Sequence, residues 1–271
     1  MAITTFIPTL WEARLLANFH NTSVADLITT APTEILPGNK VRFNRVSSVA
    51  VKDYEGSVSY DGLTTPNVDL NLDQKKYFAF KVNDVDKIQA AGDVLDATTV
   101  EAAATLQEVV DKFVLSQYTG ADADNLIGTD EAPISLTKTN AYDSIVDLGT
   151  KLSKKRVPRQ GRYVVVNSEV LGLLSKDDRF TRIPEILASG VVNNATINGM
   201  TIVVSEDVTN AAGKYKFLAL HQSAIGYGKQ LDEVEALRLQ DDFADSVRGL
   251  CVHGATVLRP EALAVLTATI A

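Results

Sequence analysis

A long stretch of alternating apolar and polar residues runs from Val41 to Val82, and the half of it nearest the turn contains too few large apolar side chains to bury itself. Val41 and Phe43 begin one alternation and Val68 begins its return, which predicts the two strands of a long β-ribbon. The turn half, residues 53–73, is the poorest in large apolar side chains. An isolated hairpin is marginally stable in water. The sequence therefore predicts that this ribbon lies on another surface.

The longest helical pattern follows the ribbon and covers residues 96–118. One apolar stripe runs along it, and the charged residues fall at other positions, as in a helix with one face in the core. The stripe is Ala102, Leu106, Val109 and Phe113, and the charged positions are Glu101, Glu108, Asp111 and Lys112. A shorter helical spacing at residues 85–91 precedes this helix.

The second half of the chain alternates helices with strands. Residues 142–152 have helical spacing after a cap at Thr139 and Asn140, and residues 163–166 form a short apolar strand. The remaining predicted elements are a helical turn at 170–174, a hairpin at 197–204 around Asn198 and Gly199, and strands at 215–220, 234–239 and 247–258. These elements predict an α+β fold.

Composition and charge exclude several classes of protein. With 45% hydrophobic residues the chain can form a core, so global disorder is excluded. A net charge of −8 argues against a protein whose whole surface grips nucleic acid. Cys251 is the one cysteine, so no intrachain disulfide can form. The first basic residue is Arg14, and no apolar run reaches the ~20 residues of a membrane span, so we expect neither a signal peptide nor membrane insertion.

Metal-binding and calcium-binding patterns are weak. His20, His221 and His253 have no second ligand at metal spacing, so packed or exposed histidines are the favoured interpretation. Residues 122–128 begin like a calcium loop, but Leu126 occupies the third ligand position. We therefore expect a solvated acidic loop, and no catalytic, cofactor or metal site anywhere in the chain.

Three charged or glycine-rich segments have a structural and a functional interpretation. Residues 226–229 (GYGK) resemble a fragment of a phosphate loop, yet no helix signal follows, so a strand with close backbone approach is favoured. Six cations lie between Lys151 and Arg162, where a helix end and a solvated turn explain them better than a nucleic-acid patch. Asp241, Asp242 and Asp245 lie in an apparent turn, where a solvent-facing cluster is favoured over acid–base catalysis.

The order of the elements resembles the major capsid protein of tailed bacteriophages, the Hong Kong 97-type fold. Five segments carry the resemblance in the family's order. They are YFAFKVNDVD (77–86), VPRQGRYVVVN (157–167), INGMTIVVS (197–205), HQSAI (221–225) and DSVRGLCVHGATVLRPEAL (245–263). With the predicted arm and ribbon that precede these segments, the resemblance covers nearly the whole chain.

The resemblance implies a structural protein, not an enzyme, located in the virion. It would self-assemble into hexamers and pentamers of an icosahedral head that encloses double-stranded DNA without sequence-specific binding. Assembly would take place in the host bacterial cytoplasm, with a separate scaffolding protein and a portal as partners, or the sequence would be a processed form. Some family members crosslink a ribbon lysine to an asparagine. Lys52 has no matching asparagine and glutamate here, so we expect no crosslink.

The resemblance also implies a division into parts. Residues 1–37 would be an N-terminal arm with a short helix at 10–19, and residues 38–82 the extended β-ribbon. A peripheral domain with the long spine helix and the long antiparallel strands would combine residues 83–133 and 223–255. An α/β axial domain would combine residues 134–222 and 256–271.

Two other functions remain open from the sequence. An encapsulin-like nanocompartment shell would have the same fold and a cargo enzyme inside, and it would be distinguished by neighbouring genes. A small acidic α+β enzyme would use Asp241, Asp242 and His253, and it would need a pocket holding strongly shifted acids.

Overall fold

The computed structural model of the chain describes residues 23–32, 34–36, 40–44, 67–83, 93–181, 185–186, 191–238 and 244–270, with Asp53 and Gly62. Its helices are α1 (Val24–Ile28), α2 (Asp93–Leu115), α3 (Ala141–Lys154), α4 (Ser168–Ser175) and α5 (Asp178–Thr181). Short 3-10 turns cover Ser116–Gly120, Ala123–Asn125, Gln222–Ala224 and Pro260–Ala262. None of the described helices has both the length and the apolar character needed to cross a bilayer.

The described strands form three sheets. In chain order they are β1 (Glu34–Leu36), β2 (Lys40–Asn44), β3 (Asn67–Asn71), β4 (Gln74–Asn83), β5 (Leu126–Ile127), β6 (Ile134–Leu136), β7 (Arg162–Val166), β8 (Glu185–Ile186), β9 (Val191–Ile197), β10 (Met200–Val204), β11 (Asn210–Ala211), β12 (Lys214–His221), β13 (Ile225–Arg238), β14 (Ala244–Val257) and β15 (Leu263–Ile270). With the helices they form an α+β fold, as the sequence predicted.

The large sheet holds the main core. Its strand order is β5-β15-β12-β7-β10-β9-β8, with β6 added on β15 and β11 on β12. Strand β7 lies parallel to β10 and antiparallel to β12, and Val164, Val165 and Val166 are all fully buried. A continuous apolar run is typical of a strand covered on both faces, which is why this short segment was predictable.

Most predicted elements of the second half are confirmed. Helix α3 begins directly after Asn140, and the hairpin between β9 and β10 turns at Asn198 and Gly199. Both turn residues have positive φ, 51° and 77°, a conformation that asparagine and glycine tolerate best. The long strands are also confirmed, although the first of them begins at Ile225, earlier than predicted.

Strand β4 differs from the prediction that residues 41–82 form a single two-stranded ribbon. In the structure β2 pairs with β3, and the short β1 adds a third strand. Strand β4 instead pairs antiparallel along β14, from Ala244 opposite Asn83 to His253 opposite Gln74. The second half of the predicted ribbon is therefore an edge of the long-strand sheet, whose order is β13-β14-β4.

Two connections pass side by side between the large sheet and the long-strand sheet. Strand β12 continues through Gln222–Ala224 into β13, and β14 continues through Pro260–Ala262 into β15. The backbone carbonyl of Ala224 accepts hydrogen bonds from the N–H groups of Leu258 (2.7 Å) and Arg259 (3.1 Å). The two connections are therefore joined by backbone hydrogen bonds at the point where they pass between the sheets.

Helix α2 begins and ends about three residues before the prediction. Its buried face is wider than the predicted stripe, because Val110 and Val114 are fully buried together with Leu106. Ala102, Val109 and Phe113 are half-buried. One side of the helix meets the long-strand sheet and another meets α1, so a single stripe was too narrow a description.

Several sequence predictions concern residues outside the described part of the chain. These are the helix at residues 10–19, the helical spacing at 85–91, His20, Lys52, Asp241 and Asp242, and most of the turn half of the ribbon.

Candidate assembly surface

Three glycines form a flat floor on one face of the long-strand sheet, here called the outer face. Gly226 and Gly228 lie on β13, and Gly254 lies opposite Gly228 on β14. A Cβ atom at Gly226 would meet Phe43 Cζ at 2.7 Å, and one at Gly228 would meet Val41 Cγ2 at 3.0 Å. The side chains of the ribbon base therefore occupy the space that a side chain at position 226 or 228 would need.

The ribbon base, β1 to β3, is packed on this floor by a small apolar cluster. Its buried members are Val41, Phe43, Leu70, Leu72, Val252 and Leu258. The sequence predicted that the ribbon lies on another surface. For the base of the ribbon, the same chain provides that surface. Gly226 and Gly228 also account for the GYGK segment, which lies in a strand with close backbone approach, as the favoured interpretation stated.

Helix α1 is held on α2 by the carboxylate of Asp111. The N–H groups of Val24 and Ala25 donate to Asp111 Oδ2 at 3.2 Å and Oδ1 at 3.0 Å, and Ser23 Oγ donates at 3.3 Å. Asp111 is 2% exposed. Burial raises the pKa of its carboxyl, while the two backbone donors and Gln107 act in the opposite direction. In the sequence, Asp111 is a charged position outside the apolar stripe, and no local signal identifies it as a capping group.

The end of the predicted arm is part of the core. Ala25 and Ile28 are fully buried in the main cluster, whereas the sequence predicted an arm outside it. Thr30 bridges to Gly226: its N–H donates to the Ile225 carbonyl, and its carbonyl accepts from the N–H of Tyr227. The described part of the arm is therefore fastened to the floor strand β13.

His253 lies on the opposite, inner face of the long-strand sheet, against α2. Its ring meets Phe113 edge-on at 5.4 Å between centroids, and it is 1% exposed. Neither ring nitrogen has a hydrogen-bond partner among the described residues. Burial lowers the pKa of His253 to about 4, and Lys76 contributes in the same direction. The histidine is packed as a neutral aromatic side chain, as the sequence favoured.

The acidic loop after α2 is closed by a lysine. The ammonium of Lys155 lies 3.1 Å from Asp122 Oδ2 and 2.8 Å from Asp124 Oδ2. Hydrogen bonds to these two carboxylates raise the pKa of Lys155. Asn125 points inward, and its amide donates to the carbonyls of Glu261 and Leu263. The part of the chain that the structure describes contains no group of acidic, histidine or cysteine residues arranged to hold a metal ion.

The cations of residues 151–162 form two groups: some donate hydrogen bonds to other parts of the fold, and the others are exposed. Lys151 donates to the carbonyl of Asp124, and Lys155 is in the acidic loop. Arg162 is fully buried and donates to the carbonyls of Gly149, Val157 and Pro158 and to Ser153 Oγ, which secures the end of α3. Lys154, Arg156 and Arg159 are exposed, as expected of a helix end and a turn.

Of the three residues of the enzyme hypothesis the structure describes His253, and of the acidic cluster at 241–245 it describes Asp245. Asp245 and His253 lie on the same strand, β14, eight positions apart. At ~3.4 Å per residue this spacing separates them by roughly 27 Å. Asp241 and Asp242 are outside the described residues.

Beyond the floor, the outer face of the long-strand sheet carries exposed side chains. Antiparallel partners point to the same side, so Tyr77, paired with Leu250, faces outward like Val252 of the floor cluster. Tyr77 is 79% exposed, and Lys75 and Ala79 beside it on β4 are exposed too. Phe78 and Phe80 point to the inner face, where both pack on the main core. We call Lys75, Tyr77, Ala79, Arg248 and Leu250 the outer patch.

The model of the family described as phage capsid protein matches residues 67–266, which is most of the chain. The chain belongs to the phage capsid protein family. The matched range takes in the floor, the outer patch, α2 and nearly all of the large sheet. No curated protein matches the chain.

Solved structures agree with this family. A chain in the structure of Mycobacterium phage Che8 is 33% identical, with a TM-score of 0.61 and 84% of each chain covered. The capsid of Ralstonia phage GP4 has a TM-score of 0.68 at 11% identity, covering 89% of this chain and 87% of that one. The holo-SrpI encapsulin of Synechococcus elongatus PCC 7942 shares the fold, with a TM-score of 0.58 at 15% identity, covering 90% and 86%.

These comparisons confirm the resemblance seen in the sequence. The protein is a structural major capsid protein and a component of the virion. As a capsid protein it assembles with other copies into a shell. The glycine floor, the outer patch and the segment around α1 are therefore features of an assembling subunit.

Proposed function

We propose that this chain forms hexamers and pentamers of an icosahedral phage head, and that it has no enzymatic role. The observation that carries the proposal is the family match over residues 67–266, joined to 33% identity with the Che8 chain. Head-to-tail contacts that close into rings of six and five suit a subunit with different surfaces at its two ends.

The ribbon is proposed to extend from the floor onto a neighbouring subunit. Its base, β1 to β3, has a buried apolar cluster, whereas the connecting residues 45–66 contain few large apolar side chains. A segment of that composition gains stability from a surface outside itself. Extended contacts between permanently associated subunits typically bury more than ~2,000 Å² in total.

The division into parts is kept as a proposal with two changes. As predicted from the resemblance, the N-terminal arm would be residues 1–37, the peripheral domain would combine 83–133 and 223–255, and the axial domain would combine 134–222 and 256–271. The pairing of β4 with β14 favours ending the ribbon at Asp73 and assigning Gln74–Asn83 to the peripheral domain. The fastening of α1 similarly favours an arm that ends before Ser23.

The head is proposed to enclose double-stranded DNA without sequence-specific binding. A net charge of −8 supports this, because like charges weaken adhesion between a shell and the DNA it holds. We further propose assembly in the host bacterial cytoplasm, with a separate scaffolding protein and a portal. These partners follow from the resemblance to the family.

Electron microscopy of the full-length chain tests the proposal. The chain would be produced in a bacterium together with the head-assembly genes of the same phage genome, and the large particles isolated by sedimentation. We expect closed icosahedral shells whose capsomers have six and five subunits. A chain that stays monomeric, or that forms only amorphous aggregate, under these conditions contradicts the proposal.

An encapsulin-like compartment is the second candidate, favoured by the fold shared with the SrpI encapsulin. That likeness is at 15% identity and therefore bears on the fold alone. Nuclease-protected nucleic acid in the particles would support the phage head. A co-purifying cargo enzyme in particles without DNA would support the compartment.

A further inference from the structure

We propose that Asn198 is a site of spontaneous deamidation, and that the contact of its side chain with helix α3 sets the rate of the reaction. Asn198 precedes Gly199 at the exposed turn between β9 and β10, and this is the one Asn-Gly pair in the sequence. Glycine has no Cβ atom, so its backbone nitrogen can be approached closely by the preceding side chain. The inference concerns the chain itself and does not depend on the proposed function.

The reaction is an attack of the Gly199 backbone nitrogen on the side-chain carbonyl carbon, Cγ, of Asn198. A bond forms between this nitrogen and Cγ, and the bond from Cγ to Nδ2 breaks. Nδ2 leaves as ammonia and takes the proton that the backbone nitrogen loses. Water then opens the cyclic imide at one of its two carbonyl carbons. The products are aspartate, and isoaspartate, in which the main chain runs through Cγ.

The folded chain holds the amide of Asn198 on α3. Its Nδ2 donates to the carbonyl of Val146 at 3.0 Å and lies 3.5 Å from Thr150 Oγ1. A Cβ atom at Gly149 would lie 2.8 Å from Nδ2, so the absence of a side chain at Gly149 provides the space that the amide occupies. The ring can close only after the amide leaves the helix and the turn rearranges. The contact with α3 therefore protects Asn198.

The expected protection follows from what has to open. One net hydrogen bond corresponds to a shift of up to about tenfold in an opening equilibrium. Rearranging the turn also disturbs the strand pairs beside it, Met200 with Ile197 and Thr201 with Thr196. We therefore expect the folded chain to deamidate at residue 198 at least tenfold more slowly than the unfolded chain.

Deamidation is expected to weaken the attachment of the β9–β10 hairpin to α3. Aspartate has no side-chain N–H group, so a carboxylate oxygen would face the carbonyl of Val146 where Nδ2 now donates. Isoaspartate also lengthens the main chain of the turn, which disturbs the register of the two strands. Because a protein of the virion is not replaced after assembly, the change would accumulate as a particle ages.

Mass spectrometry of the full-length chain measures the rate. The folded chain and the chain unfolded in guanidinium chloride are incubated at mildly alkaline pH and then digested at acidic pH, where the reaction is slow. The peptide that contains residue 198 is separated into its asparagine, aspartate and isoaspartate forms. We expect both products in the unfolded chain and at least tenfold less of them in the folded chain. Absence of products in the unfolded chain, or equal rates in the two, overturns the inference.

Gly149→Ala tests the role of α3. Its Cβ atom would displace the amide, so the folded variant is expected to deamidate at residue 198 at least threefold faster than folded wild type. The matched control is Gly172→Ala, because no atom lies within 4 Å of a Cβ placed there, and it should keep the wild-type rate. The unfolded forms of all three chains should react equally fast. Equal rates for folded Gly149→Ala and folded wild type contradict the inference.

Asn198→Asp tests the contact without relying on the stability of Gly149→Ala. It carries the aspartate product in an unchanged main chain, and the backbone amides of β10 are expected to exchange hydrogen at least threefold faster than in wild type. Asn210→Asp is the control, because that exposed side chain acts as an acceptor, for the N–H of Gly213 at 2.9 Å, and aspartate keeps this role. Equal exchange of β10 in the two variants would show that the Asn198 amide does not hold the hairpin on α3.

Discussion

Asp111 shows how one side chain can hold two elements together. It accepts two backbone hydrogen bonds from the first turn of α1, and these N–H groups would otherwise have no partner inside the helix. We predict that Asp111→Ala lowers the free energy of unfolding by about 1–3 kcal/mol, because buried donors lose their acceptor. Urea denaturation of the unassembled chain measures the change.

A second carboxylate on α2 provides the control for Asp111. Glu108 is half exposed and pairs with Lys112 one turn along. Glu108→Ala should change the free energy of unfolding by less than about 0.5 kcal/mol, since exposed pairs contribute little. Similar losses for the two variants would mean that Asp111 does not act through α1.

His253 makes the stability of the chain depend on pH. Its pKa is about 4 in the folded chain against 6.5 ordinarily, so the unfolded chain takes up this proton first as pH falls. The contribution of neutral His253 is complete above pH 6.5 and is lost progressively down to pH 4. From pH 7.5 to pH 5 this one group should cost about 2 kcal/mol of stability.

The comparison of wild type with His253→Phe isolates this contribution. The variant keeps a ring against Phe113 but has no group that titrates in this range. Denaturation at pH 7.5 and pH 5 should show a smaller loss for His253→Phe than for wild type, by about 2 kcal/mol. Parallel losses in the two chains would show that other groups cause the pH dependence.

At the scale of elements, the glycine floor determines how closely the ribbon base packs on the long-strand sheet. Gly226→Ala would place a Cβ atom 2.7 Å from Phe43 Cζ and 2.9 Å from Leu258 Cδ1. We predict a loss of about 1–3 kcal/mol, because the ring has to move in a packed cluster. Faster proteolysis within residues 45–66 should accompany this loss, measured as a time course on gels.

Gly172→Ala is the matched control for the floor. Gly172 lies within helix α4, and no atom lies within 4 Å of a Cβ placed there. Alanine favours a helix over glycine by up to about 1 kcal/mol, so this variant should be neutral or more stable. A floor variant as stable as this control would show that the ribbon base tolerates a displaced Phe43.

Elements with strong local signals were predictable from the sequence. The hairpin at Asn198 and Gly199 and the strand from Arg162 to Val166 each follow from a few adjacent residues. Pairing between distant segments was not. The alternating apolar and polar residues of β4 predicted a strand, but such a pattern does not indicate which strand it pairs with. Its partner, β14, lies more than 150 residues away in the sequence. For the same reason the sequence did not reveal that Asp111 would meet α1.

At the scale of the whole molecule, the order of the elements identified the family although no single motif was decisive. Five segments in the right order carried the resemblance, and the family match confirms it. The assembly surface was less accessible to the same reasoning. The glycine floor and the outer patch depend on which side of a sheet each residue faces, and that follows only from the register of β13, β14 and β4.

The net charge leads to a prediction about DNA. Assembled shells should bind labelled duplex DNA weakly and without saturation between 50 and 200 mM salt, because few phosphates would be neutralised. Fluorescence anisotropy with isolated empty shells measures this. Tight binding that weakens steeply with salt would indicate a concentrated basic surface and would contradict the electrostatic part of the proposed function.

The double crossing at Ala224 also limits how the subunit can deform. The two sheets share the main core, and a single covalent link would leave that packing alone to resist twisting of one sheet relative to the other. Two adjacent links, joined by the hydrogen bonds of Leu258 and Arg259 to the same carbonyl, resist torsion and leave flexing across the pair as the softer mode. Within a shell, bending along this line is therefore the way in which the subunit would most easily adapt its shape to its neighbours.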